Sequence, residues 1–186
     1  MSTRDKLLEL ANTLIQKNGF EGFSYADLAR DLGIRKASIH HHFPTKFCLG
    51  LAYCDYKREA FRVLEETKIL TVPAGPEQLQ AYFDAFSGCS RDGEMCGVYA
   101  MLSDSNLFTP ELKIAVAELA AYELNILTCV LQRGKDSGAL TFNISAPDMA
   151  IIVCNSLKGA LLLNRMSPHD ACERTVRALI QHLSTP

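Results

Sequence analysis

The chain has 186 residues, of which 48% are hydrophobic and 22% charged, so its composition is that of a folded globular protein rather than a disordered one. No apolar run approaches the ~18 residues that cross a bilayer, and the first residues show no secretory signal, so we expect a cytoplasmic protein that does not enter a membrane. The formal net charge is −2, but residues 1–60 carry nine Lys and Arg against seven Asp and Glu, which is compatible with a local nucleic-acid-binding region.

Helical spacing runs through the N-terminal residues. Apolar side chains recur every three or four positions between residues 7 and 15, and Asn18-Gly19 ends this first helix. Ser24, with an aspartate three residues later, is a typical cap for a second, short helix that ends at Gly33.

The pattern continues as helix after helix, without a convincing strand. A third short helix is predicted over residues 35–43, because Pro44 disfavours helical geometry in the residue before it. Thr45 is a suitable cap for a fourth, long helix that extends to about residue 67, and VPAGP at residues 72–76 predicts a break. Further helices are predicted over residues 77–90, 97–105, 110–136, 147–166 and 168–184. We therefore expect an all-α protein, with an N-terminal three-helix domain (1–47) joined by a long helix to a larger helical domain (48–186).

Residues 23–46 (FSYADLARDLGIRKASIHHHFPTK) place two short helices on either side of a glycine turn, which is the pattern of a DNA-binding helix-turn-helix. The first of them is expected to pack on the N-terminal helix and to hold the second where it fits the major groove. With Ile39 directed inward, a rotation of about 100° per residue directs Ala37 and His41 outward, with Ser38 and His40 beside them. This outward face is small, polar and able to form hydrogen bonds with bases and phosphates.

The stretch resembles the signature of the tetracycline-repressor (TetR) family of regulators. The matching residues are Ser24, Leu28, Ala29, Gly33, Ile34, Ser38, Ile39, His41, His42, Phe43 and Lys46. The resemblance implies a repressor that binds a palindromic operator and leaves it when a small molecule occupies residues 48–186, the ligand-binding and dimerisation domain. The residues expected to contact DNA are Ser24, Tyr25, Arg35, Lys36, Ala37, Ser38, His40, His41, His42 and Lys46.

Two positions depart from the family pattern. His40 stands where the family usually has a tyrosine that contacts a phosphate, so the resemblance implies a phosphate contact made by an imidazole ring, which can carry a charge. Phe47 stands where an acidic residue is common. Arg35, Lys36 and Lys46 lie near helix starts, where lysine, arginine and the helix dipole all favour phosphate.

The run His40-His41-His42 does not predict a metal site, because adjacent helical residues diverge by about 100° and cannot converge on one ion. The sequence also lacks a nucleophile–base pair, a phosphate-binding loop and an H-E-x-x-H motif. We therefore predict no catalytic residue, no metal and no cofactor, and a small helical enzyme is the third of three alternatives.

The seven cysteines form an odd number without a C-x-x-C pair, which predicts neither a disulfide framework nor a zinc site. Most are expected to be small core residues. Cys89 and Cys96 flank a predicted turn that contains Arg91, and they are candidate redox residues. The second alternative is therefore the same DNA-binding regulator, triggered by cysteine oxidation or by electrophile modification.

The larger domain has a soft, aromatic core with polar residues interleaved on the same helices. Because buried polar groups need partners, a bound small molecule is one candidate partner. Lys158 lies within an apolar helix, so it must reach solvent, pair with an acid or face a ligand. The residues predicted to line a ligand pocket are Tyr82, Phe86, Met101, Tyr122, Asn125, Cys129, Asn155 and Lys158.

The last two predicted helices carry apolar residues at helical spacing, and the resemblance implies that they pair across a two-fold axis. The residues predicted at this interface are Leu157, Leu161, Asn164, Val176, Leu179 and Leu183. The alternative is that these helices only cover the core of one chain, but a two-fold operator favours a homodimer. The predicted partners are double-stranded operator DNA, an unidentified small-molecule effector and a second copy of the chain, with no membrane.

Overall fold

A computed structural model of the chain describes residues 2–166 and 168–185, and it is built from α-helices. The helices are α1 (Thr3–Asn18), α2 (Tyr25–Leu32), α3 (Lys36–His42), α4 (Lys46–Leu64), α5 (Pro76–Asp84), α6 (Ser87–Asp92), α7 (Gly97–Asp104), α8 (Pro110–Asp136), α9 (Ala146–Leu163) and α10 (Ala171–Leu183). Over the described residues there is no strand, and an isolated bridge joins Leu140 to Ser184. The prediction of an all-α fold is confirmed.

The predicted helix over residues 77–90 is interrupted between α5 and α6. Phe86 has φ −105° and ψ 1°, and its amide donates to the carbonyl of Phe83 at 3.0 Å, which departs from α-helical bonding. The Phe86 ring is only 6% exposed, so burial of an aromatic side chain prevails over the local helical period. The long fourth helix also changes character, because α4 ends at Leu64 and continues as the π-helical turn Glu65–Ile69.

By their contacts the residues form two compact units. The first contains the described residues up to Glu59 together with Gly97–Leu119, and the second contains Ala60–Cys96 together with the described residues from Ala120 onward. The long helices α4 and α8 each contribute to both units. This division by packing does not coincide with the predicted boundary after residue 47, because α7 contacts α1.

The first unit is organised around α1. Ser2 caps this helix, since its hydroxyl accepts the Asp5 amide at 3.2 Å while Asp5 accepts the Ser2 amide at 2.9 Å. The buried face of α1 carries Leu7, Leu8, Ala11 and Ile15, each at most 4% exposed. α2 contacts both α1 and α3, so α1 and α2 form the base on which α3 is held.

In the first unit, α7 is fastened to the residues that follow α1. Asp104 at the end of α7 accepts the Glu21 amide at 3.0 Å, and the Phe20 and Phe108 rings meet edge to face with centroids 5.3 Å apart. The start of α7 approaches α4 so closely that a Cβ atom on Gly97 would overlap the Tyr53 hydroxyl. A side chain larger than hydrogen at residue 97 would therefore displace Tyr53.

In the second unit, α10 contacts both α5 and α9. α8 and α9 are apolar enough, by length and hydropathy alone, to cross a membrane, which departs from the expectation that no run approaches that length. However, 39% and 44% of their most apolar stretches are buried against other parts of the chain, as in the core helices of a globular protein. Both helices also carry a buried charged residue, Glu123 on α8 and Lys158 on α9.

Candidate functional site

The turn between α2 and α3 has a geometry set by local hydrogen bonds. The Ser24 hydroxyl and amide donate to Asp27 Oδ2 at 2.8 and 2.9 Å, which caps the start of α2 and holds the pKa of Asp27 below its usual value. α2 ends at Gly33, whose φ of 64° is a left-handed conformation that glycine adopts at little cost. The cap and the turn together fix the direction in which α3 leaves α2.

α3 is buried on one face and open on the other. Ile39 is fully buried and Phe43, directly after the helix, is 2% exposed. Arg35 and Lys36 have no ion-pair partner anywhere in residues 2–166 and 168–185. The exposed residues of α3 and its N-terminal cap are Arg35, Lys36, Ala37, Ser38, His40 and His41, of which Ala37 and His41 lie opposite Ile39. The helical-wheel prediction for this face agrees with the structure.

A shallow groove of about 440 Å³ runs beside the exposed face of α3. Its lining residues are Thr3, Arg35, Ala37, Ser38, His41 and His42. Only Thr3, the first residue of α1, was absent from the predicted set of DNA contacts. No local signal marks Thr3, because its place beside α3 comes from the packing of one helix on another.

His40 is positioned by two contacts. Its Nδ1 lies 3.1 Å from the carbonyl oxygen of Pro44, and its ring meets the Tyr25 ring edge to face at 5.0 Å. A carbonyl only accepts hydrogen bonds, so Nδ1 carries the proton and Nε2 remains the second polar atom of the exposed ring. This geometry is compatible with the predicted phosphate contact.

Tyr25 does not fit the predicted DNA contact. Its side chain is buried, with 7% of the residue exposed, and its hydroxyl lies 2.9 Å from the carbonyl of Phe43 and 2.7 Å from that of Thr45. Burial raises the pKa of Tyr25 to about 12. The hydroxyl therefore fastens the end of α3 to the start of α2, which is a role inside the domain rather than on its surface.

Lys46, which was predicted to contact a phosphate, makes several contacts within the first unit. Its ammonium donates to the Phe23 carbonyl at 2.7 Å, lies 3.4 Å from Glu21 Oε2, and sits 4.9 and 4.8 Å from the Phe20 and Phe23 ring centres. These contacts use two of the three ammonium donors and leave 27% of the side chain exposed, so the phosphate contact stays a prediction. Lys46 therefore joins the start of α4 to the segment between α1 and α2.

In the second unit, Lys158 pairs with an acid. Its ammonium lies 2.6 Å from Glu123 Oε1, and the two side chains are 0% and 2% exposed. The Tyr82 hydroxyl donates to the same carboxylate oxygen at 2.9 Å, and the ammonium lies 3.3 Å from the centre of the Phe86 ring. Of the three environments predicted for Lys158, the structure has the ion pair.

The charges of this buried cluster depend on one another. Burial alone would lower the pKa of Lys158, but the neighbouring Cys96 and Glu123 side chains raise it above its usual value. Burial raises the pKa of Tyr82 well above its usual value, and Glu123 adds to that effect. Glu123 was not predicted as a functional residue, although its place on the apolar stripe of α8, four residues after the buried Leu119, was a usable signal.

The eight residues predicted to line a ligand pocket do not meet in one cavity. Tyr82, Phe86 and Lys158 lie together around Glu123. Met101 is fully buried in the first unit. Asn125 and Asn155 are exposed, because their positions on α8 and α9 are directed away from the core, while Tyr122 and Cys129 are half-buried. The ligand-pocket assignment of Met101, Asn125 and Asn155 stays a prediction.

The two candidate redox cysteines are buried, Cys89 at 8% and Cys96 at 3% exposure. Both are free thiols, as are the other five cysteines. Arg91, which was expected to activate them, is exposed.

Comparison with known proteins agrees with this geometry. A family model for bacterial regulatory proteins of the tetR family matches residues 7–49. A TetR-family transcriptional regulator from Agrobacterium tumefaciens is 30% identical, with a TM-score of 0.88 over 98% of this chain and 97% of that one. A TetR transcriptional regulator from Legionella pneumophila is 27% identical, with a TM-score of 0.85 over 97% and 96% of the two chains.

The chain belongs to the TetR family of transcriptional regulators.

Two curated relatives match part of this TetR-family chain. The HTH-type transcriptional regulator CymR of Pseudomonas putida is 27% identical over 84 residues, which are 45% of this chain and 41% of that protein. The biofilm operon icaADBC HTH-type negative transcriptional regulator IcaR of Staphylococcus aureus is 37% identical over 43 residues, 23% of each chain. The chain thus spans less than half the length of the curated relatives it matches.

Four of the residues predicted at the dimer interface of this TetR-family chain are buried inside one protomer. Leu157, Leu161 and Leu183 are at most 1% exposed. Asn164 is equally buried, because its amide donates to Ser90 Oγ at 2.9 Å and accepts the Cys172 amide at 3.0 Å. The prediction is wrong for these four residues, whereas Val176 and Leu179 are half-buried.

Proposed function

We propose that this TetR-family regulator is a dimeric repressor that binds a palindromic operator through α3 and leaves it when a small molecule binds the second unit. The observation that carries the proposal is the exposed, polar face of α3, at whose start Arg35 and Lys36 form no ion pair with any residue that the structure describes. Regulation of transcription implies a cytoplasmic protein, and no enzymatic step is part of the proposal.

Each side chain of the proposed DNA surface has a distinct role. Ala37, Ser38 and His41 face away from Ile39, so they reach the edges of the bases in the major groove. Arg35 and Lys36 contact phosphates on one side, and the imidazolium form of His40, in which both ring nitrogens carry a proton, donates to a phosphate from Nε2. Ser24 caps the start of α2, and the first backbone amides of this helix point toward the phosphates of the DNA.

The proposed dimer forms through a stripe on α9 that one protomer leaves uncovered. Ile152 and Leu163 on α9 are 49% and 67% exposed at helical spacing, and Met166, three residues after the end of α9, is 74% exposed. Gly159 lies on the same stripe with open space beside it, which lets a partner helix approach closely. The stripe continues into a shallow depression of about 430 Å³ between Leu163 and the outer side of α10.

Repression and ligand release rest on the family and on its named relatives. IcaR is named a negative regulator, and a bound small molecule accompanies one structure of the same fold, a regulator from Saccharomonospora viridis in complex with choline. Release then requires only that the effector favour the conformation in which the two α3 helices no longer match successive major grooves.

The experiment selects duplexes from a random library with the full-length protein and then measures binding by fluorescence anisotropy at several salt concentrations. Lys36→Ala is expected to weaken binding to all sequences alike and to reduce the salt slope by about 1, whereas His41→Ala alters the preferred bases at a cost of about 1–3 kcal/mol. Lys113→Ala, which removes an exposed charge from α8, is the matched control. A library that shows no enrichment at any salt concentration would disprove the proposal.

A second candidate keeps the DNA surface and replaces the ligand by covalent modification or oxidation of Cys96 or Cys89. Cys96 and Cys89 are both free thiols in the second unit, as this alternative requires. Under this alternative, Cys96→Ser or Cys89→Ser abolishes DNA release by a thiol alkylator and leaves binding itself unchanged. If both variants release DNA as the wild type does, the cysteine trigger is excluded.

A further inference from the structure

A groove of about 710 Å³ lies between α5, α6 and α10 in the second unit. Its floor is formed by Phe83, Cys172, Val176 and Ile180, of which the first two are almost fully buried. The volume lies within the range of about 300–1,000 Å³ that holds small-molecule ligands. None of the residues predicted to line a ligand pocket takes part in it.

The groove is separate from the uncovered stripe of α9. At about 100° per residue, Val176, Arg177 and Ile180 lie on one flank of α10, and Arg174 and Ala178 lie on the opposite flank, beside Leu163. A second copy packed on the α9 stripe therefore leaves the groove open. The same helix thus forms a wall of the groove and a part of the proposed dimer surface.

The charges around the groove restrict the chemistry of a ligand. Two arginines, Arg91 and Arg177, and two acids, Asp84 and Glu173, line it, so their formal charges cancel. Because the rim is balanced, a molecule with a net charge would be attracted by one pair of groups and repelled by the other. An uncharged molecule with an apolar body meets the Phe83 ring and the aliphatic floor without that cost.

One end of the groove offers hydrogen-bond donors. Ser90 accepts the Asn164 amide at 2.9 Å, so its own hydroxyl proton remains available, and Ser87 lies exposed one turn before it. Arg91 has no hydrogen-bond or ion-pair partner in the part of the chain that the structure describes. A hydroxyl or carbonyl group on the ligand matches these donors.

We infer that the groove between α5, α6 and α10 is the effector site, and that it takes an uncharged, mainly apolar molecule carrying a hydroxyl or carbonyl group. The site itself is defined by the groove, and its role in release rests on the function proposed above. A ligand between α5–α6 and α10 acts directly on the helix that also borders the dimer surface.

The test titrates the full-length protein with 1-N-phenylnaphthylamine, an uncharged aromatic probe whose fluorescence rises in apolar surroundings. Saturable binding of one probe per chain is expected, and Ser87→Phe, which fills the groove from α6, should weaken it by about tenfold. Ala85→Phe adds the same side chain at an exposed position outside the groove and should change affinity by less than about twofold. Gln181→Phe, which fills the groove from α10, should repeat the effect of Ser87→Phe if that variant folds poorly.

Alkylation of Cys172 by iodoacetamide, followed peptide by peptide by mass spectrometry, gives an independent readout. The bound probe should slow the alkylation of Cys172 and leave that of Cys48, in the first unit, unchanged. Unaltered probe affinity in both groove-filling variants, or no protection of Cys172, would overturn the site. Tighter binding of the anionic 8-anilinonaphthalene-1-sulfonate would overturn the uncharged class. Failure of the protein to enrich DNA would disprove the proposed function while leaving these binding results intact.

Discussion

Replacement of Lys158 by methionine tests whether the ion pair with Glu123 is buried in solution. Methionine keeps most of the apolar stem, but it leaves the Glu123 carboxylate charged and only 2% exposed. Of the two hydrogen bonds to Glu123 described above, only the one from the Tyr82 hydroxyl remains. Removal of one partner of a fully buried pair typically costs about 3–5 kcal/mol. With a urea m-value of about 2 kcal/mol per molar, the unfolding midpoint should fall by about 2 M.

A second substitution separates the stranded charge from the lost packing. Lys158→Met combined with Glu123→Gln removes both charges and still provides Tyr82 with an acceptor, so most of the lost stability should return.

The assay is urea unfolding followed by far-ultraviolet circular dichroism, with all variants at one protein concentration because dimerisation makes stability concentration-dependent. A Lys158→Met variant that stays within about 0.5 kcal/mol of the wild type would refute the reasoning. That result would mean that Lys158 is solvated and remains available to a ligand.

Three further predictions concern residues whose roles changed between sequence and structure. Lys46→Ala should lower the free energy of unfolding, measured in urea, by about 1–2 kcal/mol, because the hydrogen bond to the Phe23 carbonyl is lost. The salt slope of DNA binding should not change. A reduced slope at unchanged stability would indicate that Lys46 contacts a phosphate instead. Leu163→Arg should give a folded monomer by sedimentation and circular dichroism, whereas Leu161→Arg should unfold the chain, because only Leu161 is fully buried. A Leu163→Arg variant that remains a dimer would show that the interface lies elsewhere. The pKa of Tyr25 is raised to about 12 in the folded state, from about 10 when unfolded, so the free energy of unfolding should fall as the pH rises between these values. In urea unfolding at a series of pH values, Tyr25→Phe should reduce this fall between pH ~10 and ~12. A fall as large as that of the wild type would contradict the buried hydroxyl.

The helix-turn-helix could be predicted because its signals are local. Ser24 and Asp27 mark the start of α2, Gly33 marks the turn, and Pro44 marks the end of α3, so all of these signals lie between residues 24 and 44. The exposed face of α3 followed from the position of a single buried residue, Ile39. Periodicity decides such a face when only one side of the helix is apolar.

The partners of Tyr25 and Lys46 could not be predicted, because they are contacts between segments. The Tyr25 hydroxyl meets the carbonyls of Phe43 and Thr45, 18 and 20 residues away, and Lys46 meets the Phe23 carbonyl, 23 residues away. A polar residue near a DNA-reading helix is equally consistent with a phosphate contact and with an internal hydrogen bond. Only the fold distinguishes the two.

α9 shows why the dimer residues were assigned to the wrong face. The helix carries one apolar stripe through Leu157 and Leu161, and another through Ile152 and Leu163. Both stripes have helical spacing, so periodicity cannot tell which one faces the core. The polar neighbours were informative, since Lys158 and Asn164 lie toward the buried side and find partners there.

Helix α10 borders both the groove and the proposed dimer surface, so an effector in the groove acts by binding the DNA-binding and the released conformation with different affinity. Reversing a 99:1 preference for the DNA-binding conformation requires about 5.5 kcal/mol of differential affinity. In the proposed dimer each chain offers one groove, so each bound molecule must supply about half of this, close to 2.7 kcal/mol. Burial of apolar surface against Phe83, Val176 and Ile180 supplies roughly 25 cal/mol per Å², so a difference of about 100 Å² in the area buried in the two states is sufficient. A movement of α10 that opens or closes one wall of the groove would have to change the buried area by about 100 Å². Because α10 also borders the proposed dimer surface, the same movement would be felt by the second copy.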